Sequence, residues 1–392
     1  MHTTYGGPVE YVAAVLLVLQ IIIVLPYLKR RRATWPVLAF VTVATVLALL
    51  WCATAAGVGL TLFGTLYTND TVPAGFATAA AAIGYFWILL SSYGVAFHAV
   101  AGFLADKFTP AHSPDRRKWL GAATAVALGV PVATSAFGVV VERNRYRVLE
   151  LDLPITDLHA DLEGFRIGQV SDLHVSPFLS VREAGRVIDM ANELRPDLML
   201  FTGDLISELG DPLDAAIREM IRLRGDQGVL GCMGNHEQYI GCRDYMQREA
   251  GRAGLVFLRD TAMQIRRGRG VLNIAGIDYQ RKSDSRGYLP AAERHILPGA
   301  SNILLSHNPD VFPTAIRRGF QAVLSGHTHG GQVNVEILNQ NVNPARFRTP
   351  YTSGLYRQDG VSCFVTNGIG TIGMPIRLGA PPEVALLRLR RA

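Results

Sequence analysis

Cysteine is scarce in this chain, and its four cysteines never form a Cys-x-x-Cys pair. Cys52 lies in an apolar block, while Cys232, Cys242 and Cys363 are scattered through the second half. This spacing excludes a disulfide framework and a zinc–thiolate site. A bridge between Cys232 and Cys242 stays open if that region faces an oxidising compartment.

Charged residues are also few, at 18% of the chain, whereas apolar residues make up 49%. The net charge is +6, and the clearest basic clusters are KRRR at 29–32 and DRRK at 115–118. Both clusters flank apolar blocks, where they are typical of topology signals rather than of nucleic-acid contacts. The sequence contains no nucleic-acid motif, so we expect no nucleic-acid partner.

Four apolar blocks in the first part of the chain are long enough to cross a bilayer, which takes about 20 residues. They cover 9–28, 36–64, 75–104 and 119–141. Four buried core helices are the disfavoured alternative, because successive uncharged stretches of this length are rare in a soluble core. We therefore expect an all-α transmembrane region at 1–141, a linker at 142–163 and an α/β domain at 164–392.

The distribution of lysine and arginine predicts the orientation of these spans. Both residue types occur in the loops 29–35 and 105–118 and are absent from the leader and from loop 65–74. Because positively charged loops stay on the cytoplasmic side, the domain 164–392 is expected on the outer side of the cell inner membrane. Three arginines within 143–147 argue mildly against this placement.

The second half alternates short apolar runs with helical patterns, which is typical of an α/β domain with much parallel sheet. Five of the apolar runs are strand candidates: 165–170, 197–201, 228–233, 302–307 and 321–326. Each run ends in side chains of the kind that bind metals, namely Asp172, His174, Asp204, Asn235, His236, His307, His327 and His329. Ligand sites in open α/β sheets collect at the carboxyl ends of strands, so all five ends should point at one place.

The spacing of these residues has a physical reason. Asp172 and His174 are two residues apart, as are His327 and His329 in SGHTHGGQ, so each pair faces one side of an extended chain. Carboxylate oxygen combined with imidazole nitrogen suits manganese, iron, zinc or cobalt. Most of these motifs are weak alone, since DLH or GNH is more often a turn, whereas GHTH is rarer and a stronger signal. Their joint occurrence at successive strand ends is what indicates a metal site.

In this order, DLH, GD, GNHE, H and GHTH resemble the motifs of the calcineurin-like metallophosphoesterases, and the resemblance covers about 160–392. It implies a two-sheet α/β sandwich flanked by helices, with a two-metal centre. One ion would be held by Asp172, His174 and His329. The other would be held by Asn235, His307 and His327. Asp204 would bridge the two ions.

The same resemblance implies that His236 is no ligand but a catalytic residue that faces the scissile phosphate. The implied enzyme is a phosphoric ester hydrolase acting on a phosphate ester, phosphodiester or pyrophosphate through metal-activated hydroxide. The two divalent ions would be manganese, zinc, iron or magnesium. The flanks GHTHGGQ and NGIGT…PIRLGAPPEVALLRL are similar to bacterial membrane-associated members, including relatives of UDP-2,3-diacylglucosamine pyrophosphatases.

Expected partners are therefore a phosphorylated small molecule or lipid as substrate, and membrane lipids. One alternative is a membrane receptor or scaffold with an inactive phosphoesterase domain, and the intact ligand set argues against it. Another is a transporter with a regulatory domain, but the apolar blocks carry almost none of the ionisable residues that transport sites usually need.

Overall fold

Besides isolated positions before residue 137, the structure, a computed structural model, describes 137–281, 288–290, 292–337 and 340–392. The chain divides into two compact units, Met1–Ala136 and Phe137–Ala392. The four predicted spans lie outside the described residues, except for isolated positions and the π-helical turn Phe137–Val141. Within the described part, no helix has the length and apolar character needed to cross a membrane.

The second unit alternates strands and helices as its sequence predicts. Its strands are β1 (Arg147–Ile155), β2 (Arg166–Val170), β3 (Leu198–Phe201), β4 (Val229–Gly231), β5 (Leu255–Phe257), β6 (Thr261–Arg267), β7 (Gly270–Gly276), β8 (Ser301–Leu305), β9 (Ala322–Ser325), β10 (Val335–Ile337), β11 (Gln340–Val342), β12 (Gly354–Gln358), β13 (Val361–Val365) and β14 (Glu383–Arg391). Its α-helices are α1 (Val181–Glu193), α2 (Leu213–Met220), α3 (Asn235–Ile240), α4 (Arg243–Arg252) and α5 (Phe312–Arg318).

The first sheet has the strand order β1-β14-β2-β3-β4-β5. Strands β2 to β5 run parallel to one another, β14 is antiparallel to β2, and β1 is parallel to β14. Strand β1 lies inside 142–163, the segment for which the sequence predicted a linker. The catalytic half of the chain thus begins its first sheet before residue 164.

The second sheet has the order β12-β13-β9-β8-β7-β6. Its central strands β13, β9, β8 and β7 are parallel, and the two edge strands are antiparallel to their neighbours. A short antiparallel pair, β10 and β11, stands apart from both sheets. In both six-stranded sheets the parallel strands lie side by side, so their carboxyl ends form one edge in each sheet.

Side-chain alternation explains how the two sheets pack. Leu198 and Leu200 of β3 face the core that the two sheets share, together with Ile303 and Leu305 of β8. The residue between the last two, Leu304, points to the opposite face, where α5 packs. Period-two alternation of this kind gives each sheet two buried faces.

Helices cover the outer faces of both sheets. Ser180 caps the start of helix α1: its hydroxyl accepts from the Glu183 amide while the Glu183 carboxylate accepts from the Ser180 amide. Such a capping box satisfies two backbone donors that a helix start leaves free. Helices α1, α2 and α4 pack on the first sheet and α5 on the second. The unit is therefore a two-sheet α/β sandwich flanked by helices.

The cysteines of this unit are free thiols. Cys232, Cys242 and Cys363 are all buried, and none forms a disulfide. Burial raises the pKa of the Cys242 thiol to about 11, which keeps it protonated at neutral pH. The bridge between Cys232 and Cys242 that the sequence left open does not form.

Candidate metal centre

All eight candidate site residues follow the carboxyl ends of parallel strands. Asp172 and His174 follow β2, Asp204 follows β3, and Asn235 and His236 follow β4 of the first sheet. In the second sheet the candidates follow two neighbouring strands, β8 with His307 and β9 with His327 and His329. The site therefore lies where the carboxyl edges of the two sheets meet.

Asp204 is the residue that contacts both sides of the cluster. Its Oδ2 lies 3.0 Å from His307 Nε2 and 3.4 Å from His174 Nε2. A second carboxylate, Asp172, has its Oδ1 3.5 Å from His329 Nε2 and 3.9 Å from His307 Nε2. Two buried carboxylates are thus surrounded by ring nitrogens from residues that follow three strands, β2, β8 and β9.

The imidazole rings are oriented by oxygens on the outer side of the cluster. His307 Nδ1 donates to Thr202 O at 2.7 Å, and His329 Nδ1 faces Gly370 O at 3.3 Å. His174 Nδ1 pairs with the Ser207 hydroxyl at 3.1 Å. With Nδ1 engaged, each ring turns Nε2 toward the carboxylates, which is the arrangement that metal-ligating histidines usually have.

The donor set at the centre fits a cation. His307 Nε2 faces Asn235 Oδ1 at 3.1 Å as well as the two carboxylates, and these oxygens only accept hydrogen bonds. His174 Nε2 is buried and has no hydrogen-bond partner among the described residues. Acceptor oxygens that converge on one buried point need a positive charge among them. A divalent ion would supply this charge and engage the His174 nitrogen.

The pKa shifts of the histidines at the centre agree with a metal-binding role. Burial opposes protonation of His307, but the carboxylates of Asp204 and Asp172 outweigh it and raise the pKa of His307 to about 10. Burial and the neighbouring His307 lower the pKa of His327 to about 3. Burial also lowers the pKa of His174 and His329. The protonated His307 ring thus places positive charge beside the carboxylates and would give up a proton to bind a metal, whereas the neutral rings of His174, His327 and His329 keep the lone pairs that metal binding requires.

In the described part of the chain, three groups of side chains could each hold a metal ion, because the ligand atoms within each group all lie within 4.8 Å of one another. The first group consists of Asp172, His174 and His329. The second consists of Asp204, His307 and His327. The third consists of His174, Asp204 and His236. The first two groups share no residue, whereas the third overlaps both and includes the predicted catalytic histidine.

His236 is the most weakly enclosed of the three histidines around Asp204. Its amide donates to Asp204 Oδ1 at 2.9 Å, and its Nδ1 donates to Ser207 O at 2.5 Å. Its ring meets the His174 ring edge-on, with centroids 4.7 Å apart. These contacts of the backbone and the ring fix the position of His236. Because they engage Nδ1, Nε2 is the ring nitrogen left to act on a ligand.

The backbone is in the left-handed region at five of the candidate residues. The φ angles are 53° at Asp172, 47° at His174, 57° at Asp204, 75° at His327 and 53° at His329. Non-glycine residues adopt this region rarely, and such strain clusters at functional sites. The turns after three different strands are thus bent so that side chains converge on one point.

The glycine of the GNHE motif, Gly234, is explained by the close approach of its backbone to Asp204. A Cβ at Gly234 would overlap the Asp204 carboxylate and lie 2.6 Å from the Asp204 amide nitrogen. No side chain fits there, so the turns after β3 and β4 can touch only with glycine at this position.

Glu237, the last residue of that motif, ties the two turns together. Its fully buried carboxylate accepts hydrogen bonds from the amides of Gly234 (2.7 Å), Asp204 (3.0 Å) and Leu205 (2.6 Å). These bonds join the turn after β4 to the turn after β3, which carries Asp204.

Glu237→Gln is expected to lower the free energy of unfolding by about 1–3 kcal/mol, since the amide group would present a donor to a backbone donor. A thermal-shift measurement on the purified protein checks this. Glu249→Gln is the matched control, because Glu249 forms surface ion pairs with Arg248 and Arg252 that contribute little. Equal melting temperatures for the two variants would contradict the role given to Glu237.

Sequence reasoning did not identify the aromatic residues beside the cluster. The Tyr279 ring lies 5.3 Å from the His327 ring and 6.1 Å from the His307 ring, between centroids. Tyr239 lies 5.8 Å from the His236 ring and is 52% exposed. The Arg281 guanidinium stands 4.7 Å from the centroid of the Tyr239 ring. Tyr239 follows the GNHE motif and Tyr279 follows β7, and only the fold brings the two rings together.

Comparison with known proteins gives a consistent picture. The family model for calcineurin-like phosphoesterases matches residues 165–331, a range that contains all eight candidates. An uncharacterized metallophosphoesterase of Aquifex aeolicus is 30% identical over 57% of this chain and 85% of its own length. The uncharacterized metallophosphoesterase YkuE of Bacillus subtilis is 28% identical over 70% of this chain and 97% of its own.

A third relative, from Danio rerio, is named transmembrane protein with metallophosphoesterase domain. It is 28% identical over 69% of this chain, which spans 63% of that relative's length. A protein of Bos taurus carries the same name. On the family match and the relative from Aquifex aeolicus, this chain belongs to the calcineurin-like metallophosphoesterases, a family of metal-dependent phosphoric ester hydrolases.

Proposed function

We propose that the protein is a membrane-anchored phosphoesterase that uses two divalent metal ions to hydrolyse a phosphate ester, phosphodiester or pyrophosphate. The observation that carries the proposal is the position of Asp204. Its carboxylate lies within 3.4 Å of ring nitrogens that come from both sheets. A carboxylate in this position can serve two ions at once, which is the central need of a two-metal site.

In this proposal each ion has its own set of ligands. Asp172, His174 and His329 would hold one ion. Asn235, His307 and His327 would hold the other, with Asp204 shared between them. When bound, such a pair lowers the pKa of water and offsets charge on phosphoryl oxygens. Manganese, zinc, iron and magnesium are the candidate metals.

The chain itself supplies the proton for the leaving group. Because His236 Nδ1 donates to Ser207 O, the protonated ring carries its second proton on Nε2. A positioned imidazolium of this kind can donate to the departing alcohol oxygen. Asp204 Oδ1 holds the His236 backbone at 2.9 Å, so the acid and the metal site keep a fixed relation.

The aromatic residues beside the cluster suggest the class of ester. Tyr239 exposes an aromatic face next to His236, and Tyr279 lies behind it with ring centroids 6.4 Å apart. Burial and Tyr239 raise the pKa of Tyr279 well above its usual value, so the phenol stays protonated. Tyr239 and Tyr279 together form an aromatic rim beside the cluster. This rim favours an ester with an apolar or ring-bearing alcohol group, and a lipid-linked phosphodiester or pyrophosphate is one such substrate.

Tyr239→Ala is expected to lower kcat/KM for bis-p-nitrophenyl phosphate roughly 3–10-fold more than for p-nitrophenyl phosphate, since the diester carries a second ring for the rim to contact. Steady-state kinetics on both esters test this. Tyr245→Ala is the control, because Tyr245 is an exposed tyrosine of α4 that pairs with Asp214. An equal loss on both esters would contradict a ring-binding role for Tyr239.

Membrane anchoring is supported by the four apolar blocks of the sequence, each long enough to cross a bilayer. Relatives from Danio rerio and Bos taurus that are named transmembrane proteins also support it. We propose that 1–141 forms four spans and that the catalytic unit lies on the outer side, as the loop charges indicate.

The test of the function is hydrolysis by the purified full-length protein. Both model esters are offered with added manganese, zinc or magnesium, or with EDTA. Cleavage that depends on metal is the expected result, and the ratio of diester to monoester cleavage directs the search for the substrate. Bound metal without cleavage of any phosphoester would favour the binding-scaffold alternative instead.

A further inference from the structure

Arg377 is a buried arginine whose hydrogen bonds go to backbone carbonyls. Its side chain is fully buried, and Nη1 donates to Ala380 O at 2.9 Å while Nη2 donates to Asn367 O at 2.9 Å. Its Nε has no partner among the described residues. A buried charge without a carboxylate pair is costly, so a specific requirement must retain it.

Two further bonds connect Arg377 to the candidate ligand His329. Nη1 contacts His329 O at 3.4 Å, and Nη2 donates to Gly370 O at 2.6 Å. Gly370 O also faces His329 Nδ1 at 3.3 Å. The guanidinium thus holds both the main chain of His329 and the oxygen that orients its ring. These contacts leave His329 Nε2 directed at Asp172, 3.5 Å from its Oδ1.

The loop of Arg377 is also held by the segment with which the second unit begins. This entry segment, 137–142, accepts a hydrogen bond from the Arg377 amide through Gly138 O at 3.2 Å. Glu142 Oε1 accepts from the Gly379 amide at 2.8 Å. A Cβ at Gly138 would lie 2.7 Å from Arg377 O, so the two segments are in close contact.

We infer that Arg377 is a positioning residue for His329, and that the entry segment fixes Arg377 so that a displacement of this segment changes the affinity of the nearest metal site. The inference rests on the proposed two-metal centre. It assigns the effect to the ion of Asp172, His174 and His329. The hydrogen bonds of Arg377 to described residues reach none of Asn235, His307 and His327, which would hold the other ion.

Manganese titration of the full-length protein tests this, with the apparent affinities of both ions measured by competition against a chelator at a temperature well below unfolding. Arg377→Met is expected to weaken one of the two ions about 10–100-fold, the usual effect of losing a partner that orients a metal ligand. Arg377→Lys keeps the charge and part of the donor capacity, so it should recover part of the loss. Arg390→Met is the control, since Arg390 pairs with Asp152 and Glu163 at the sheet edge.

Folded Arg377→Met protein with two wild-type manganese affinities would overturn the inference. If that variant does not fold, Glu142→Ala replaces it as the test, because it removes only the bond to the Gly379 amide. We expect the same ion to weaken by up to about fivefold, as for one lost hydrogen bond. An unchanged affinity there would overturn the role of the entry segment. Wild-type protein that binds manganese but cleaves no ester would contradict the proposed function alone, since both affinities could still be compared.

Discussion

Asp204→Asn is expected to abolish ester hydrolysis and metal loading together. The substitution removes the negative charge that faces both His174 and His307, and it places an amide where one carboxylate oxygen stood. Burial opposes ionisation of Asp204, but His307 and His236 outweigh it and hold its pKa well below the usual value, so the wild-type side chain is charged at neutral pH. Activity should fall by more than the roughly 10–100-fold that loss of an outer partner of a metal ligand causes.

Metal content by elemental analysis and hydrolysis of bis-p-nitrophenyl phosphate are the two measurements. Asp152→Asn is the matched control, because Asp152 is a half-exposed acid on β1 that pairs with Arg388 and Arg390. This control should retain both metal and activity. An Asp204→Asn protein that binds two ions with normal affinity would refute a shared role for this carboxylate.

His236→Ala is expected to lower turnover by roughly 10²–10⁴-fold, the range for loss of a positioned general acid, while both ions stay bound. The backbone bond from residue 236 to Asp204 Oδ1 survives in this variant, so the geometry of the carboxylate should persist. The loss should be smaller for esters with good leaving groups, which need less protonation.

The contrary outcome is as informative, because His236 also belongs to a group with His174 and Asp204 that could hold metal. If the variant loses an ion, His236 is a ligand and its role as the acid is wrong. His295→Ala is the control, since His295 is largely enclosed and pairs with Asp260 outside the cluster. The control should change neither metal content nor turnover.

The location of the site follows from sequence for a simple reason. Each candidate comes directly after an apolar run, and parallel strands end at a common edge, so the residues after β2, β3 and β4 had to be neighbours. Periodicity does not predict that the two sheets meet. The two-sheet sandwich is implied only by the resemblance of motifs such as GHTH to those of the family.

The sequence of β1 carries a strand pattern, although it lies in the segment for which the sequence predicts a linker. Leu149, Leu151, Leu153 and Ile155 alternate with Glu150, Asp152 and Pro154, which is the period of a half-buried strand. Its partner β14 begins more than 200 residues later, with Arg147 opposite Glu383. Local sequence holds no information on a pairing at such a distance, so the sequence alone predicts a linker over 142–163.

Arg377 and Tyr279 could not be assigned a role from sequence for a different reason. Neither belongs to a motif whose spacing implies chemistry. The contacts of Arg377 are backbone carbonyls, and every residue type offers a carbonyl. The position of Tyr279 depends on the loop after β7 approaching the ends of β8 and β9. Both roles arise only once the chain has folded.

The order of strands in the first sheet has a consequence for synthesis of the protein. Strand β14 lies between β1 and β2, so neither of these early strands can complete its pairing before residues 383–391 have left the ribosome. Long-range pairings of this kind fold slowly and expose unpaired strand edges in the meantime. We therefore expect the edges of β1 and β2 to stay unpaired until residues 383–391 have been synthesised, and the first sheet to be completed only then.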